Sequence, residues 1–203
     1  MATSDSLEQP EYSWAIEDIL SAHPHLYLEH FAVMAVAVMS AHSKSPIRVN
    51  VECLGFFLPE APGVKNFSVR LSWNRVSEDR ARWVLQTEQR NPIVERAAVA
   101  LSALSALSAL MFAKLIPEGE IRVTRRGDRC DYWLPSLGAA LEVSGTEHRS
   151  EMRSRHREKV LQLRRNPLTW PGYAVVCCFE PEGARVLWSY HESEGALHAR
   201  TGT

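Results

Sequence analysis

Two acidic residues stand out for their spacing. Asp131 lies in the run Gly127-Asp-Arg-Cys-Asp-Tyr-Trp-Leu, and Glu142 follows in Ala140-Leu-Glu-Val-Ser after a tight turn at Pro135 to Gly138. Both runs read as strands, so the carboxylates fall on neighbouring ribbons of a sheet. Leu141 and Val143 flank Glu142, which makes its strand a buried one. A buried carboxylate requires a proton, a cation or a metal ion. Two of them on adjacent strands are one way to build a site for a divalent metal.

The elements that must hold these acids can be traced along the chain. Residues 1–11 read as a disordered lead and Tyr12 to Ala22 as a short amphipathic helix. His25 to His42 is rich in Ala and Met, which favours a buried helix, although Val33, Val36 and Val38 leave a strand open. Ile47 to Leu58 and Asn66 to Trp73 alternate and are rich in β-branched residues, as in a β-hairpin. Ser77 is placed to cap a helix running to about Gln89. Asn91-Pro92 opens another, to about Leu115, in which the repeated Leu-Ser-Ala permits close packing on a sheet.

Three strands are expected next: Glu120 to Arg126, Arg129 to Leu134 and Ala139 to Ser144. A charged helix from Glu147 to Arg165 follows, with Thr146 as its cap. The continuous apolar run Tyr173 to Phe179 marks a central strand, and Val186 to His191 is the last. From Asn91 onward the order is α-β-β-β-α-β-β.

That order, with one acid on the second strand and another on the third, resembles the PD-(D/E)xK nuclease superfamily over about Asn91 to His191. The resemblance implies an α/β (α+β) fold with a restriction-endonuclease-like αβββαβ core at 91–203. Residues 1–90 would be an N-terminal helix and β-hairpin extension. Asp131 matches the motif's aspartate and Glu142 its second acid, which makes both metal ligands for Mg²⁺ or Mn²⁺. The motif's lysine falls at Ser144. Some members carry the basic residue on the following helix, where Lys159 is the best match and His148 the second. Glu95 fits the acid many members place on the first core helix, and Gln162 a positioning residue. The catalytic set so implied is Glu95, Asp131, Glu142 and Lys159.

The implied activity is metal-dependent hydrolysis of phosphodiester bonds in DNA or RNA, in bacterial defence or DNA processing. The alternative is a catalytically degenerate subunit of the same fold that binds nucleic acid or assembles with a protein partner or a second copy. Loss of the lysine at Ser144 argues for it. A small-molecule sensor is a weaker third reading, because Gly127 and Gly145 are isolated and form no phosphate loop.

Charge fits a polyanion partner locally but not globally. The 203-residue chain has a formal net charge of −1, whereas Gly119 to Arg165 holds 11 Lys/Arg against 7 Asp/Glu. Arg125, Arg126, Arg149, Arg153 and Arg157 are the expected phosphate contacts, which position a strand without reading its sequence. A solvated helix face is the plain alternative. Several residues have ordinary expected roles. Asp128 is a turn residue, His148 and His156 are solvated, and Trp133, Trp170 and Trp188 pack. Cys53, Cys130, Cys177 and Cys178 lack zinc-ligand or redox spacing and read as buried thiols of a cytoplasmic protein. Neither Phe31 to Met39, too short, nor Ala97 to Leu115, broken by serines, reads as a membrane span.

Overall fold

A computed structural model describes residues 11–22, 29–41, 43–54, 66–87, 89, 97, 122–123, 130–135, 138–166 and 170–192. The strands are β1 (Glu11–Ala15), β2 (Ile47–Leu54), β3 (Asn66–Ser72), β4 (Arg122–Val123), β5 (Tyr132–Leu134), β6 (Ala139–Thr146), β7 (Gly172–Glu180) and β8 (Gly183–His191). The helices are α1 (Ile16–Ala22), α2 (Glu29–Ser40), α3 (Arg75–Thr87) and α4 (Met152–Arg164), the last preceded by a 3-10 turn at Arg149–Glu151.

The strands form one mixed eight-stranded sheet in the order β1-β3-β2-β8-β7-β6-β5-β4. β4, β5 and β6 form an antiparallel meander, and α4 carries the chain over to β7, which lies parallel to β6. β7 and β8 are a hairpin. The N-terminal hairpin of β2 and β3 continues the same sheet, because β2 pairs parallel with β8. The fold is therefore mixed α/β. Among the described residues no helix is long and apolar enough to cross a membrane.

Side-chain alternation gives the sheet two unlike faces. Val49, Val51, Cys53, Leu141, Val143, Tyr173, Val175, Cys177, Val186 and Trp188 point to one face, where Ile16, the α2 run Met34 to Met39, and Ala81 and Val84 of α3 bury them. The opposite face carries α4. There Leu163 packs with Ala140 and Ala174, and Met152 with Val176, Cys178 and Leu187. β7 is covered on both sides, which explains its uninterrupted apolar sequence. Cys177 and Cys178 accordingly enter different clusters, and all four cysteines are buried thiols.

Several sequence expectations shift at their edges. Tyr12 to Ala15 is strand β1, not the first turn of a helix; it pairs parallel with β3, and Tyr12 meets Phe67 edge-on at 5.8 Å. Tertiary pairing there uses two aromatic residues that suit a strand, and helix begins only at Ile16. The 29–40 segment is helix, since all-round burial suits its Ala and Met content. Asn74, not Ser77, caps α3: its Oδ1 accepts the Ser77 N–H at 3.0 Å, while the Ser77 hydroxyl donates to Glu17. α3 ends at Thr87, short of Gln89. Asp131 precedes β5 by one residue, because the strand is confined to Tyr132–Leu134. The helix expected from Asn91 lies outside the described residues except for Ala97, which is helical and buried. Of the expected disordered lead at residues 1–11, Glu11 opens β1, while residues 1–10 and the Gly127-Asp128 turn lie outside the described residues.

Two glycines let the backbone close up. A Cβ on Gly172 would lie 2.7 Å from Leu163 Cδ2 and 2.9 Å from the Ala140 carbonyl oxygen, so α4 can settle onto the start of β7 only over a glycine. Gly183 adopts φ +152° and sits opposite Arg48 in the β2–β8 ladder, where a Cβ would strike the Arg48 carbonyl. Gly183→Ala is therefore expected to lower stability by about 1–3 kcal/mol. Urea unfolding followed by tryptophan fluorescence checks this, and an unchanged midpoint would contradict it.

Candidate active site

The register of the β5–β6 pair brings the acids together. Tyr132 lies opposite Leu141, so one residue further along the ladder Asp131 lies opposite Glu142. Both are displaced from the apolar cluster that holds Tyr132, Leu141 and Val143, and both therefore lie on the α4 face. β5 ends where Asp131 begins, which leaves the Val143 N–H without a strand partner on that side. Asp131 Oδ2 accepts it at 2.8 Å. The carboxylate thus stands in for the missing ladder bond and is fixed by it.

Like charges directly opposite one another on a sheet repel, and Lys159 supplies the compensating charge. From α4 its Nζ donates to Glu142 Oε2 at 2.9 Å and to Asp131 Oδ2 at 3.4 Å. The Glu142 side chain is 5% exposed, that of Lys159 17% and that of Asp131 40%. The site is therefore closed at Glu142 and open to solvent at Asp131. Burial, then the charge of Asp131, pushes the Glu142 carboxyl above its usual range, against the pull of Lys159. Burial also works against the charge on Lys159, but Asp131 and Glu142 outweigh it and hold the ammonium above its ordinary value. Lys159 is a cation at neutral pH.

The start of α4 is tied to the end of β6. Thr146 is buried; its hydroxyl accepts the His148 N–H at 3.0 Å and donates to Glu151 Oε2 at 2.9 Å. The same oxygen takes Arg155 Nε at 3.0 Å. Thr146 thus closes the turn ahead of the 3-10 segment, and this fixes where along the sheet Lys159 comes down. Ser144, two residues beyond Glu142 on the same face, is half-buried. The helix supplies the cation that this strand position lacks.

Of the residues expected from the sequence, Asp131, Glu142 and Lys159 converge. His148 is exposed in the turn before the helix, and Gln162 is exposed on α4. Arg149, Arg153 and Arg157 are exposed along the 3-10 turn and α4. Glu95, Arg125 and Arg126 lie outside the described residues. Trp133 and Trp170 pack at 4.5 Å beside Val160 and Leu163, and Trp188 is buried against Tyr173.

One polar cluster was not legible in the sequence. His156, expected to be solvated, is buried one turn before Lys159. Its Nε2 lies 2.7 Å from Ser189 Oγ, which lies 2.6 Å from His191 Nε2. Glu142, Ala174 and Ser189 occupy one row across β6, β7 and β8, so this cluster and the acids share a face. Ser189 has one hydroxyl proton; it donates to one ring and accepts from the other. Burial, then Arg153, lowers the His156 pKa. Burial, then Arg164 and His156, takes that of His191 down to about 4. The only sequence sign was that Ser189 and His191 alternate with Trp188 and Tyr190 at the end of the strand.

The donor set fits a hard cation. Mg²⁺ needs only one or two protein carboxylates, the rest of its shell being water, and two carboxylates already face one positive charge here. Among the described residues no group of three or more His, Cys, Asp or Glu could hold a metal ion. No protein-family model matches the chain, and neither a curated protein nor a solved structure does.

Removing the lysine leaves Glu142 buried beside a second carboxylate. Lys159→Met is expected to cost about 3 kcal/mol, and Lys159→Met combined with Glu142→Gln to recover most of it; equal stability of the two variants in urea would contradict the pairing. The histidines give a pH signature. The folded His191 value of about 4 lies below the ordinary 6.5, so the unfolded chain binds more protons between them. This contribution to stability is complete above about pH 6.5 and is lost as pH falls toward 4. Denaturation midpoints measured from pH 7.5 to 4.5 should fall less steeply for His191→Gln than for the wild type.

Proposed function

We propose that this chain is a metal-dependent nuclease of the PD-(D/E)xK type whose lysine has moved from the strand to the following helix. The observation that carries this reading is the convergence of three side chains from β6, α4 and the residue before β5 on one point, with Lys159 Nζ 2.9 Å from Glu142 and 3.4 Å from Asp131. The meander β4–β5–β6, the crossover α4 and the parallel β7 correspond to the βββαβ part of a restriction-endonuclease-like core. Glu95, on the helix expected to precede the meander, would complete the acidic set.

Asp131 and Glu142 would hold Mg²⁺ or Mn²⁺, which supplies Lewis-acid polarisation of the phosphate and a water of lowered pKa. Asp131 would be the solvent-facing ligand, oriented by its bond to the Val143 N–H. Glu142, shut off from water, would be the buried one. Lys159, kept protonated by both acids, would orient the attacking water and stabilise the charge that builds on the phosphate oxygens. Exposed arginines on α4 would hold the strand by its backbone.

A second reading is favoured by the same contact. The Lys159 ammonium already neutralises the pair, and Ser144 offers no replacement if a metal displaces it. In that case the triad is a structural ion cluster, and the chain is a degenerate member that binds nucleic acid or a partner protein.

Calorimetric titration with Mn²⁺ and cleavage assays on plasmid DNA and single-stranded RNA separate the two. The nuclease reading expects Mn²⁺ binding that Asp131→Asn or Glu142→Gln abolishes, cleavage lost in both, and a rate about 10²-fold lower in Lys159→Ala. Absence of both metal binding and cleavage in the folded wild type would leave the degenerate reading.

A further inference from the structure

Helix α4 covers only part of its face of the sheet. It packs mainly on β6, β7 and β8, and reaches β2 at Leu54, which lies beside the Met152 cluster. The earlier β2 residues that point there are polar: Arg48, Asn50 and Glu52 alternate with buried Val49, Val51 and Cys53. The step between the helix and the uncovered strands is a groove with a cavity of about 410 Å³. Arg149 and Arg153 form its helical wall, Asn50 and Arg185 lie side by side on its floor, and Glu52 and Asn66 close its far edge.

The charges in the groove are unequally committed. Arg185 is held by both oxygens of Glu180, at 3.0 and 2.9 Å. Arg149 and Arg153 only approach carboxylates, Glu180 at 3.9 Å and Glu52 at 3.7 Å, and their side chains are 68% and 70% exposed. Pairs so long and exposed contribute little, and most of the guanidinium donors remain available. The Asn50 amide has no hydrogen-bond partner among the described residues. Donors in two exposed forks and one amide, beside the apolar Met152 and Leu187, suit an anion with several acceptor oxygens.

We infer that this groove binds a backbone phosphate of a nucleic-acid strand that crosses α4 from the acid–lysine site. The inference rests on the nuclease reading for the direction of the strand, but not for the binding itself. Arg153 meets Glu52 of β2 and Lys159 meets Glu142 of β6, on the two flanks of α4, and three strand spacings of about 4.8 Å, about 14 Å in all, separate those rows. That is the span of a few nucleotides at about 3.4 Å of rise per strand. Glu52 is the one carboxylate lining the groove among the described residues; it faces Arg153 and competes with an incoming phosphate for it.

The test is fluorescence anisotropy with a labelled 20-nucleotide single strand and the matching duplex, in EDTA, over a salt series. Arg149→Gln combined with Arg153→Gln should weaken binding at least about tenfold and lower the slope of log K against log salt by about two. Glu52→Gln should tighten binding a few-fold. Arg82→Gln, on the opposite face and paired with Asp79, should change nothing, and melting curves should show all variants folded. Affinity unmoved by the Arg149/Arg153 pair and by Glu52 overturns the groove, whatever the cleavage assay shows. Arginine-dependent binding of inorganic phosphate or AMP that the oligonucleotides neither share nor compete with overturns the strand and leaves a free-phosphate site. Arginine-dependent strand binding without Mn²⁺-dependent cleavage removes the catalytic reading and keeps the groove.

Discussion

Asp131 and Glu142 face one another across a strand pair, and the second of them is out of reach of water. Such a pair cannot stand alone. Either one carboxyl keeps its proton or a cation comes between them, and α4 is placed so that Lys159 is that cation. Much of the local architecture serves the placement. Gly172 lets the helix settle on β7 next to Leu163, Thr146 and Glu151 fix where the helix begins, and Ala174 keeps the row beside Glu142 low enough for a long side chain to cross. A slip of one residue in β6 would turn Glu142 toward the apolar core and leave the lysine with nothing to meet.

The two faces of the sheet divide the work. One is sealed by α1, α2 and α3 and holds most of the buried apolar side chains, including the large rings of Trp188, Tyr173 and Phe67. It provides the stability. The other is covered in part by a single charged helix, and it carries both the acid–lysine triad and the histidine–serine chain. Polar groups on that face are worth keeping only if they are satisfied. The acid–lysine triad and the His156–Ser189–His191 chain meet this demand in different ways, one by charge and one by shared protons.

The sequence made some of this legible. Alternation in Ile47 to Leu54, the unbroken apolar run of β7 and the Pro135–Gly138 turn between the two acids are local signals, and local signals survive tertiary context. The turn's Gly138 N–H reaches the Pro135 carbonyl at 3.1 Å, as a tight reversal requires. The meeting of Lys159 with the acids was readable only through a resemblance, because spacing along a helix does not say which strand lies beneath it. The strand character of Tyr12 to Ala15 and the burial of His156 were not readable. The first depends on an edge offered by β3, the second on a serine 33 residues further along. Neither leaves a mark in its own neighbourhood.

The pairing of β2 with β8 has a bearing on how the chain is made. The early hairpin leaves the ribosome with one flank of its backbone unpartnered, and the strand that completes it, from Gly183 to Ser189, follows only after β3 to β7 have been made. Until then β2 presents open amides and carbonyls beside Val49 and Val51, which is the kind of surface that recruits stray strands. Pairing an early strand with a later one makes the synthesis of β8 the event that completes this part of the sheet, and puts a premium on chaperone protection before it.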